Sequence, residues 1–289
     1  MHSPLEVAKS YVEIGAHKVK LSAFKMIILG IFAGMYVAFA GTAAQTAAAT
    51  IENPSIGRLV SACVFPAGLA MVLVAGSELF TGNNLIIISV LEKRVKIREM
   101  LKNWFFVYLG NSIGAALVGI AVVYSGIPSL FENQQAERMV SVAMMRVDQT
   151  FGEAFLRGFL CNILVCIAVW AAFAAKQVSG KILMSFWPIM IFVLCGFEHC
   201  VADIYYGVSG IFTAIQYGIA APGLEFGRFF ANCILPVTLG NIAGGTGVVG
   251  VGYWAMYLLH TPGSTQSQEE EQKEIDMAEE YFVKKKEAK

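Results

Sequence analysis

Six apolar stretches divide this chain, and each is long enough to cross a lipid bilayer as a helix. A hydrocarbon core of about 30 Å needs about 20 helical residues. The stretches run approximately over residues 26–49, 59–91, 104–125, 155–175, 182–206 and 235–259. A backbone that crosses lipid must satisfy its own hydrogen bonds, so the pattern predicts an all-α membrane protein built as a bundle of six helices.

The composition agrees with a membrane protein and excludes other classes. Hydrophobic residues make up 56% of the chain and charged residues 15%, with a mean hydropathy of +0.62, which is too apolar for a soluble surface. The formal net charge is zero. Because no solvated segment combines basic with aromatic residues, we expect no nucleic-acid partner. The lipid bilayer is the expected environment.

The two ends of the chain are polar and define its domain organisation. Residues 1–25 carry scattered Lys and Glu without an apolar signal-peptide core, which predicts a retained cytoplasmic segment. Residues 26–259 form the transmembrane domain, and residues 260–289 are expected to form a charged cytoplasmic tail. The polar residues 127–153 are expected to form one long external connection.

Basic residues predict the orientation. With the N-terminus inside, eleven Lys and Arg residues lie on the inner side even before the tail is counted. The outer side keeps five, namely Arg58, Arg138, Arg146, Arg157 and Arg228. Since positive residues favour the cytoplasmic side, both termini are expected in the cytoplasm of a multi-pass protein of the plasma membrane.

The second and fifth stretches are interrupted by small and polar residues, and these interruptions belong to an internal repeat. Residues 75–80 (AGSELF) match residues 195–200 (CGFEHC), and residues 109–114 (LGNSIG) match residues 239–244 (LGNIAG). Each half therefore holds three crossings. Because three is odd, the second half is inverted relative to the first. In such folds two interrupted helices meet near the midplane and form the site.

Ionisable residues inside the fifth stretch are the main functional candidates. A charged group at membrane depth costs about 2.5–3.5 kcal/mol on insertion scales, so Glu198 and His199 indicate a transport pathway. The repeat separates the two residues. Glu198 has a counterpart in Glu78, and this pair is expected to cap exposed backbone N–H groups at the breaks. His199 is matched by Leu79, so the histidine is the asymmetric group and the candidate for proton exchange.

Other small and polar positions are expected to support the bundle. Asn111 and Asn241 are repeat-related amides whose burial requires hydrogen-bond partners. Small residues at helical spacing indicate close packing of helices within the bundle or between subunits. They are Gly30, Gly34 and Ala38, then Gly110, Gly114 and Gly119, then Gly240, Gly244 and Gly247.

Two other classes of function are weaker alternatives. Cys195, His199 and Cys200 offer soft ligands on one turn, as in a metal or water pore, but no further converging groups are evident. A membrane enzyme that uses Glu198 and His199 as acid and base would need motifs that are absent here, such as His-Glu-x-x-His. We expect no enzyme, no cofactor and no bound metal; the six cysteines are expected to be free thiols.

Three segments resemble signature segments of the formate/nitrite transporter family. They are residues 78–83 (ELFTGN), 196–203 (GFEHCVAD) and 236–245 (PVTLGNIAGG), and the similarity extends from about Leu5 to Tyr257. The resemblance implies an aquaporin-like six-helix fold, a homopentamer with one pore in each subunit, and transport of formate, nitrite or hydrosulfide together with protons. The aquaporin signature Asn-Pro-Ala is absent, which disfavours a water channel.

The resemblance also assigns roles to individual residues. His199 resembles the family's central pore histidine, and Thr81 the threonine that can hydrogen-bond to it. Asn162 resembles the buried amide near the histidine, and Arg146 is the candidate for the basic residue of the outer vestibule. The positions that correspond to the two apolar constrictions are Phe65, Leu69 and Phe192. Asp203 departs from the asparagine that many members carry, so substrate identity does not transfer directly.

These features together predict the mechanism. A bare anion would lose its hydration between Phe and Leu side chains with nothing in exchange. The anion of a weak acid can instead gain a proton near His199 and cross as a neutral molecule. A histidine side chain in water has a pKa of about 6.5, so it can exchange protons at physiological pH. Formate is the expected substrate, with nitrite and hydrosulfide as alternatives; acetate or lactate would need wider constrictions.

Overall fold

The computed structural model describes residues 1–259, and the predicted charged tail at 260–289 lies outside the described residues. The chain begins with helix α1 (Pro4–Lys18). Ser3 caps this helix by accepting the Glu6 N–H, while the Glu6 carboxylate accepts the Ser3 N–H. This reciprocal capping box and the proline at the first helical position explain why the helix begins there.

The first half of the bundle has three crossings, of which the second is interrupted. Its elements are α2 (Ala23–Ala47), α3 (Pro54–Val64), α4 (Ala67–Ala75), a 3₁₀ segment (Gly82–Ile86), α5 (Ile87–Leu91) and α6 (Ile97–Tyr124). α3 and α4 together span Pro54–Ala75 and cross as one unit. The interruption predicted in the second stretch therefore lies at residues 76–81.

The second half repeats this order. Its elements are α7 (Gln134–Val147), α8 (Phe151–Ala174), α9 (Val178–Cys195), α10 (Cys200–Tyr217), α11 (Phe226–Phe229), a π-helical segment (Phe230–Ile234), α12 (Leu235–Ile242), a second π-helical segment (Ala243–Gly250) and α13 (Val251–Tyr257). The sixth crossing runs continuously from Phe226 to Tyr257. Six helices within residues 1–259 are long and apolar enough to cross a membrane, which confirms the predicted fold class.

α1 lies beside the loops that follow α5 and α8. The Glu13 carboxylate pairs with Arg94 at 2.9 Å, and the His2 N–H donates to the Ala174 carbonyl at 2.8 Å. We call this side of the bundle the α1 face and the opposite side, which carries α7, the α7 face. The two faces provide a frame for the site that does not depend on the orientation in the membrane.

The polar connection at 127–153 contains a helix that the sequence analysis did not predict. One side of α7 is buried against α10, with Met139 and Ala143 fully buried and Gly210 of α10 directly over Ala143. Its other side carries charged residues, and these led to the prediction of a polar connection from the sequence. This packing holds α7, and therefore Arg146, over the second interruption.

Glycines bring the paired helices of each half into backbone contact. A Cβ on Gly34 of α2 would collide with the Asn111 carbonyl oxygen of α6, and a Cβ on Gly240 of α12 would collide with the Phe155 carbonyl oxygen of α8. These contacts confirm the packing that the small residues predict. Gly247 is an exception, since nothing lies within 4 Å of a Cβ placed there.

Candidate functional site

The two interruptions have the same backbone geometry. α4 ends at Gly76 with φ +78° and α9 ends at Gly196 with φ +73°, a left-handed conformation that glycine adopts without steric cost. Two residues later, the N–H groups of Glu78 and Glu198 donate to backbone carbonyls of α2 and α8, each at 3.3 Å. The predicted repeat is therefore present at the level of individual hydrogen bonds.

Asn111 holds the first interruption together. Its Oδ1 accepts the Phe80 N–H at 2.9 Å, and its Nδ2 donates to the carbonyls of Gly30 at 2.8 Å and Glu78 at 2.9 Å. One buried amide thus satisfies two backbone groups of the interruption, those of Glu78 and Phe80, and ties them to the Gly30 carbonyl of the continuous helix α2.

Asn241 does the same at the second interruption. Its Oδ1 accepts the Cys200 N–H at 3.0 Å, and its Nδ2 donates to the carbonyls of Gly158 at 2.7 Å and Glu198 at 3.1 Å. Both asparagines are buried, and both have the hydrogen-bond partners that their burial requires. For each asparagine, two partners lie in the interrupted backbone and the third is a carbonyl of a continuous neighbouring helix.

The prediction that Glu78 and Glu198 cap these N–H groups is wrong, because the asparagines already accept from them. The Glu78 carboxylate instead binds Lys18 of α1, with Nζ at 2.7 and 2.8 Å from its two oxygens. The Asn83 amide donates to the same carboxylate at 2.7 Å, and its oxygen accepts from Lys18 at 3.0 Å. A buried carboxylate is more stable beside a cation than at a polar cap, and a cation is within reach here.

Glu198 occupies an equivalent cluster with a different composition. Arg146 of α7 places its guanidinium 3.1 Å from the Glu198 carboxylate and donates through Nε to Asp203 at 2.8 Å. Gln149 donates to the other Glu198 oxygen at 3.0 Å, and the guanidinium lies 4.2 Å from the centre of the Tyr206 ring. The single positive charge of Arg146 thus faces two carboxylates.

His199 is the N-cap residue of α10 and is buried, with 4% of its surface exposed. Its Nδ1 accepts the Ala202 N–H at 3.3 Å, and its Nε2 lies 2.9 Å from Thr81 Oγ1. An Nδ1 that accepts a hydrogen bond carries no proton, so the ring is neutral and Nε2–H donates to Thr81. The structure thus brings together the two residues predicted to line the pore.

Asn162 lies directly behind this pair. Its Nδ2 is within hydrogen-bonding distance of the Asn84 Oδ1 at 2.7 Å, the Asn241 carbonyl at 2.7 Å and the Thr81 carbonyl at 3.3 Å. Since an amide has two hydrogens, it serves two of these three acceptors at a time. The residue joins the two halves and fixes the backbone of Thr81.

A cavity of about 770 Å³ enters from the α7 face and ends at the predicted pore residues. Phe65 and Phe192 line its inner end and meet edge to face, with ring centroids 5.7 Å apart. His199 lies next to them, 6.2 Å from the Phe192 ring centroid. Leu69 is buried one helical turn deeper and does not line the cavity. Leu79, the repeat counterpart of His199, is buried in the loop of the first interruption.

The wall of the cavity carries more charge than the sequence analysis assigned to it. Arg58, Arg138 and Arg157 line it together with Arg146, and Glu137 lines it beside them. These arginines entered the sequence analysis only as markers of orientation. Their predicted position on one and the same side of the membrane was a signal that they surround one opening.

The predicted soft ligands do not converge. The Cys195 side chain is exposed and Cys200 is buried. Among residues 1–259, no group of three or more His, Cys, Asp or Glu side chains is arranged to hold a metal ion. The metal-pore alternative therefore gains no support from the geometry.

Inverted halves, two interrupted helices joined by asparagines and a cavity that ends at an aromatic pair define a polytopic membrane transport protein. The sequence model of the family described as "Formate/nitrite transporter" matches residues 5–255. The chain belongs to the formate/nitrite transporter family. Because members of this family are channels and transporters, the prediction that the protein is not an enzyme is confirmed.

Individual relatives cover nearly the whole chain. The "Formate channel FocA" of Haemophilus influenzae is 34% identical over 273 residues, which are 90% of this chain and 95% of that protein. The "Probable formate transporter" of Methanothermobacter thermautotrophicus is 36% identical over 274 residues, 89% of this chain and 97% of that protein.

Two solved structures have the same fold. One, described as "Pentameric formate channel with formate bound", superimposes with a TM-score of 0.72 at 31% identity and covers 82% of this chain and 98% of its own. Another, described as "FNT family ion channel", gives a TM-score of 0.74 at 26% identity, covering 89% and 99%.

Proposed function

We propose that the protein is a channel for formate, which gains a proton beside His199 and crosses the apolar constriction as formic acid. The observation that carries this proposal is that His199, which is hydrogen-bonded to Thr81, lines a cavity at the end where Phe65 and Phe192 meet. Two relatives that match along most of this chain are named as a formate channel and a probable formate transporter.

The constriction requires a neutral species. The Phe65 and Phe192 side chains offer no hydrogen bond to an anion that sheds its water, and moving a bare charge into such surroundings costs many kcal/mol. A proton on formate removes the net charge and most of this cost. Small size then decides which acids pass.

The hydrogen bond between His199 and Thr81 suggests how the substrate is held. Since the neutral imidazole donates Nε2–H to Thr81 Oγ1, the hydroxyl hydrogen is free to donate to a carboxylate oxygen. Thr81 then presents a donor in place of lost water, and His199 polarises that donor. The proton itself is exchanged at this end of the cavity, with His199 or a nearby group as its source.

A solved relative supports the assembly that we propose, and the distribution of Lys and Arg supports the orientation. A solved relative is described as pentameric, and we propose a homopentamer with one pore in each subunit. Large exposed apolar side chains on the crossings, such as Phe39, Leu117 and Trp187, suit contact with lipid or a neighbouring subunit. We place the protein in the plasma membrane with both termini cytoplasmic and the α7 face outside, on the distribution of Lys and Arg.

Nitrite and hydrosulfide are the alternative substrates. Both are monovalent anions of weak acids, and the family description includes nitrite. Either could take up a proton at the same site and pass the same constriction. Formate ranks first because the relatives that match along most of the chain are named for it.

Uptake of labelled formate, nitrite and hydrosulfide into one preparation of proteoliposomes tests the proposal. We expect formate uptake that rises as the external pH falls, and its loss or conversion to a pH-independent anion leak in His199→Phe. His17→Phe, which changes an exposed histidine of α1, should behave as wild type. Normal pH-dependent formate uptake in His199→Phe would remove His199 from the mechanism, and wild-type protein inactive toward formate would refute the substrate.

A further inference from the structure

One cation and two carboxylates share a buried site at the inner end of the cavity. The Arg146 side chain is 15% exposed, that of Glu198 6% and that of Asp203 0%. If both acids are ionised, the cluster carries a net charge of −1. An isolated negative charge is costly in a buried site, and it would repel an arriving anion.

Two oxygens of this cluster have no hydrogen-bond donor among the described residues. They are Asp203 Oδ2 and Glu198 Oε2, which are buried in the wall of the cavity. Arg146 approaches Glu198 Oε2 at 3.1 Å but without the alignment of a hydrogen bond. Both carboxylates contact the same Arg146 guanidinium, at 3.1 Å from Glu198 and 2.8 Å from Asp203, which holds the two acids at one cation. A single proton between them would satisfy both oxygens and cancel the excess charge.

The first half of the bundle shows what the cluster looks like without the extra carboxylate. The repeat that matches Glu198 with Glu78 also matches Asp203 with Asn83. There the Asn83 amide donates a hydrogen to Glu78 at 2.7 Å, beside the single cation Lys18. The first cluster is therefore neutral and fully hydrogen-bonded. In the second cluster Asp203 takes the place of Asn83. The hydrogen that the Asn83 amide donates to Glu78 therefore has no equivalent there unless Asp203 or Glu198 is protonated.

We propose that Glu198 and Asp203 share one proton and that this carboxyl pair is the acid that protonates the substrate at the constriction. The inference rests on the proposed function for the identity of the substrate, a small carboxylate such as formate. It replaces His199 as the proton source, since the neutral imidazole uses its only N–H on Thr81. His199 and Thr81 keep the role of positioning the anion.

The other charged and titratable groups around the pair come from every neighbouring element. They are Arg58 of α3, Tyr108 of α6, Glu137, Arg138 and Arg146 of α7, Arg157 and Cys161 of α8, Cys200 and Tyr206 of α10, Cys233 of the sixth crossing, and His199. Of these, Arg146 alone is shown in direct ion pairs with the two acids. The outer arginines attract an anion into the cavity, and the pair meets it at the inner end.

The proton transfer balances without another reactant. The carboxyl O–H bond of the pair breaks and leaves its electrons on the carboxylate oxygen, while a new O–H bond forms on the incoming formate. Formic acid then passes Phe65 and Phe192. The pair, again at excess negative charge, takes a proton from a hydronium ion that enters the cavity from the medium, and the hydronium ion becomes water. Each formate therefore carries one proton.

Infrared spectroscopy of the purified protein at neutral pH, without formate, tests the pair directly. The C=O stretch of a protonated carboxyl group, identified by its shift in D₂O, is expected in wild type and is expected to disappear in Asp203→Asn and Glu198→Gln. Asp148→Asn, which removes an exposed carboxylate on the same face, should keep the band. Asp203→Asn places asparagine where the repeat already has Asn83, and size-exclusion chromatography checks that both variants assemble.

Proteoliposome uptake supplies the second readout. In Asp203→Asn the anion must take its proton from the medium, so the pH of half-maximal formate uptake is expected to fall by on the order of one unit, with uptake retained at low pH. A wild type that lacks the carboxyl band, or an Asp203→Asn variant with an unchanged pH midpoint, overturns the proposal. Wild-type protein that takes up no formate refutes the proposed substrate instead, and the infrared band still decides whether the pair holds a proton.

Discussion

Asn111 and Asn241 hold the two interrupted helices with equivalent sets of three hydrogen bonds, although they lie in different halves of the chain. Asn111 accepts the Phe80 N–H and donates to the Glu78 carbonyl. Asn241 accepts the Cys200 N–H and donates to the Glu198 carbonyl in the same way. Each also donates to a neighbouring helix. The site therefore depends on two residues that take no part in the proposed proton transfer.

Replacing Asn241 by Ala should destabilise the protein without altering the charge of the site. Three backbone groups would lose a buried partner, which we expect to lower the free energy of unfolding by about 2 kcal/mol or more. Thermal denaturation of the detergent-solubilised protein measures the loss. Asn232→Ala, which removes one half-buried hydrogen bond to the Val147 carbonyl, is the matched control and should cost much less. Equal stability of the two variants would contradict the role of Asn241.

Two glycines of the sixth crossing should respond in opposite ways to the same substitution. A Cβ at Gly240 would collide with the Phe155 carbonyl oxygen, so Gly240→Ala should force α12 from α8 and cost about 1–3 kcal/mol. Gly247 has free space, and alanine is the better helix former there. Size-exclusion and thermal profiles should show a defect in Gly240→Ala alone. A similar defect in Gly247→Ala would mean that the helix contacts are not the cause.

The six crossings could be predicted from the sequence because membrane helices are recognised by their length and hydropathy. The interruptions, the repeat and the pairing of His199 with Thr81 could also be anticipated from motifs. The hydrogen-bond partners could not. Glu78 and Glu198 looked like caps because they sit at the breaks, but the nearest available groups were cations from α1 and α7, and sequence distance conceals that approach.

Thr81→Val should lower formate uptake while preserving the fold. Valine has nearly the same shape but lacks the hydroxyl that accepts from His199 and that we propose donates to formate. We expect a loss of at least tenfold, about 1.4 kcal/mol in the barrier. Initial rates in proteoliposomes provide the measurement. Thr46→Val removes a hydroxyl that bonds within α2 and should leave the rate unchanged. Wild-type rates in Thr81→Val would show that the hydroxyl is dispensable.

Phe192→Ala should widen the proposed constriction at the inner end of the cavity, next to His199. Removing a ring that contacts both Phe65 and His199 leaves room for larger acids. We expect measurable uptake of acetate or lactate, with formate uptake equal to or faster than wild type. Ile191→Ala, on the exposed side of the same helix, should keep the selectivity of the wild type. If Phe192→Ala still excludes acetate, the aromatic pair does not set the size limit.

The excess negative charge of the cluster of Arg146, Glu198 and Asp203 could not be predicted from the sequence for a different reason. The Asp at 203 was visible in the sequence as a departure from the family, but its meaning required knowing that Arg146 binds it and Glu198 together. Arg146 comes from a helix that the sequence analysis treated as a polar connection, since the charged surface of α7 masks its buried side. A loop assignment gave no reason to place its arginine in a buried cluster.

The central claim is that formate crosses the constriction as a neutral acid, and the charge carried per molecule tests it most directly. Proteoliposomes with a pH-sensitive dye inside, a formate gradient and a membrane potential set by potassium and valinomycin report proton movement and voltage dependence together. We predict one proton entering with each formate and a rate that does not change with the imposed potential. A rate that follows the potential, with no acidification of the interior, would show that the anion crosses alone and would contradict the account.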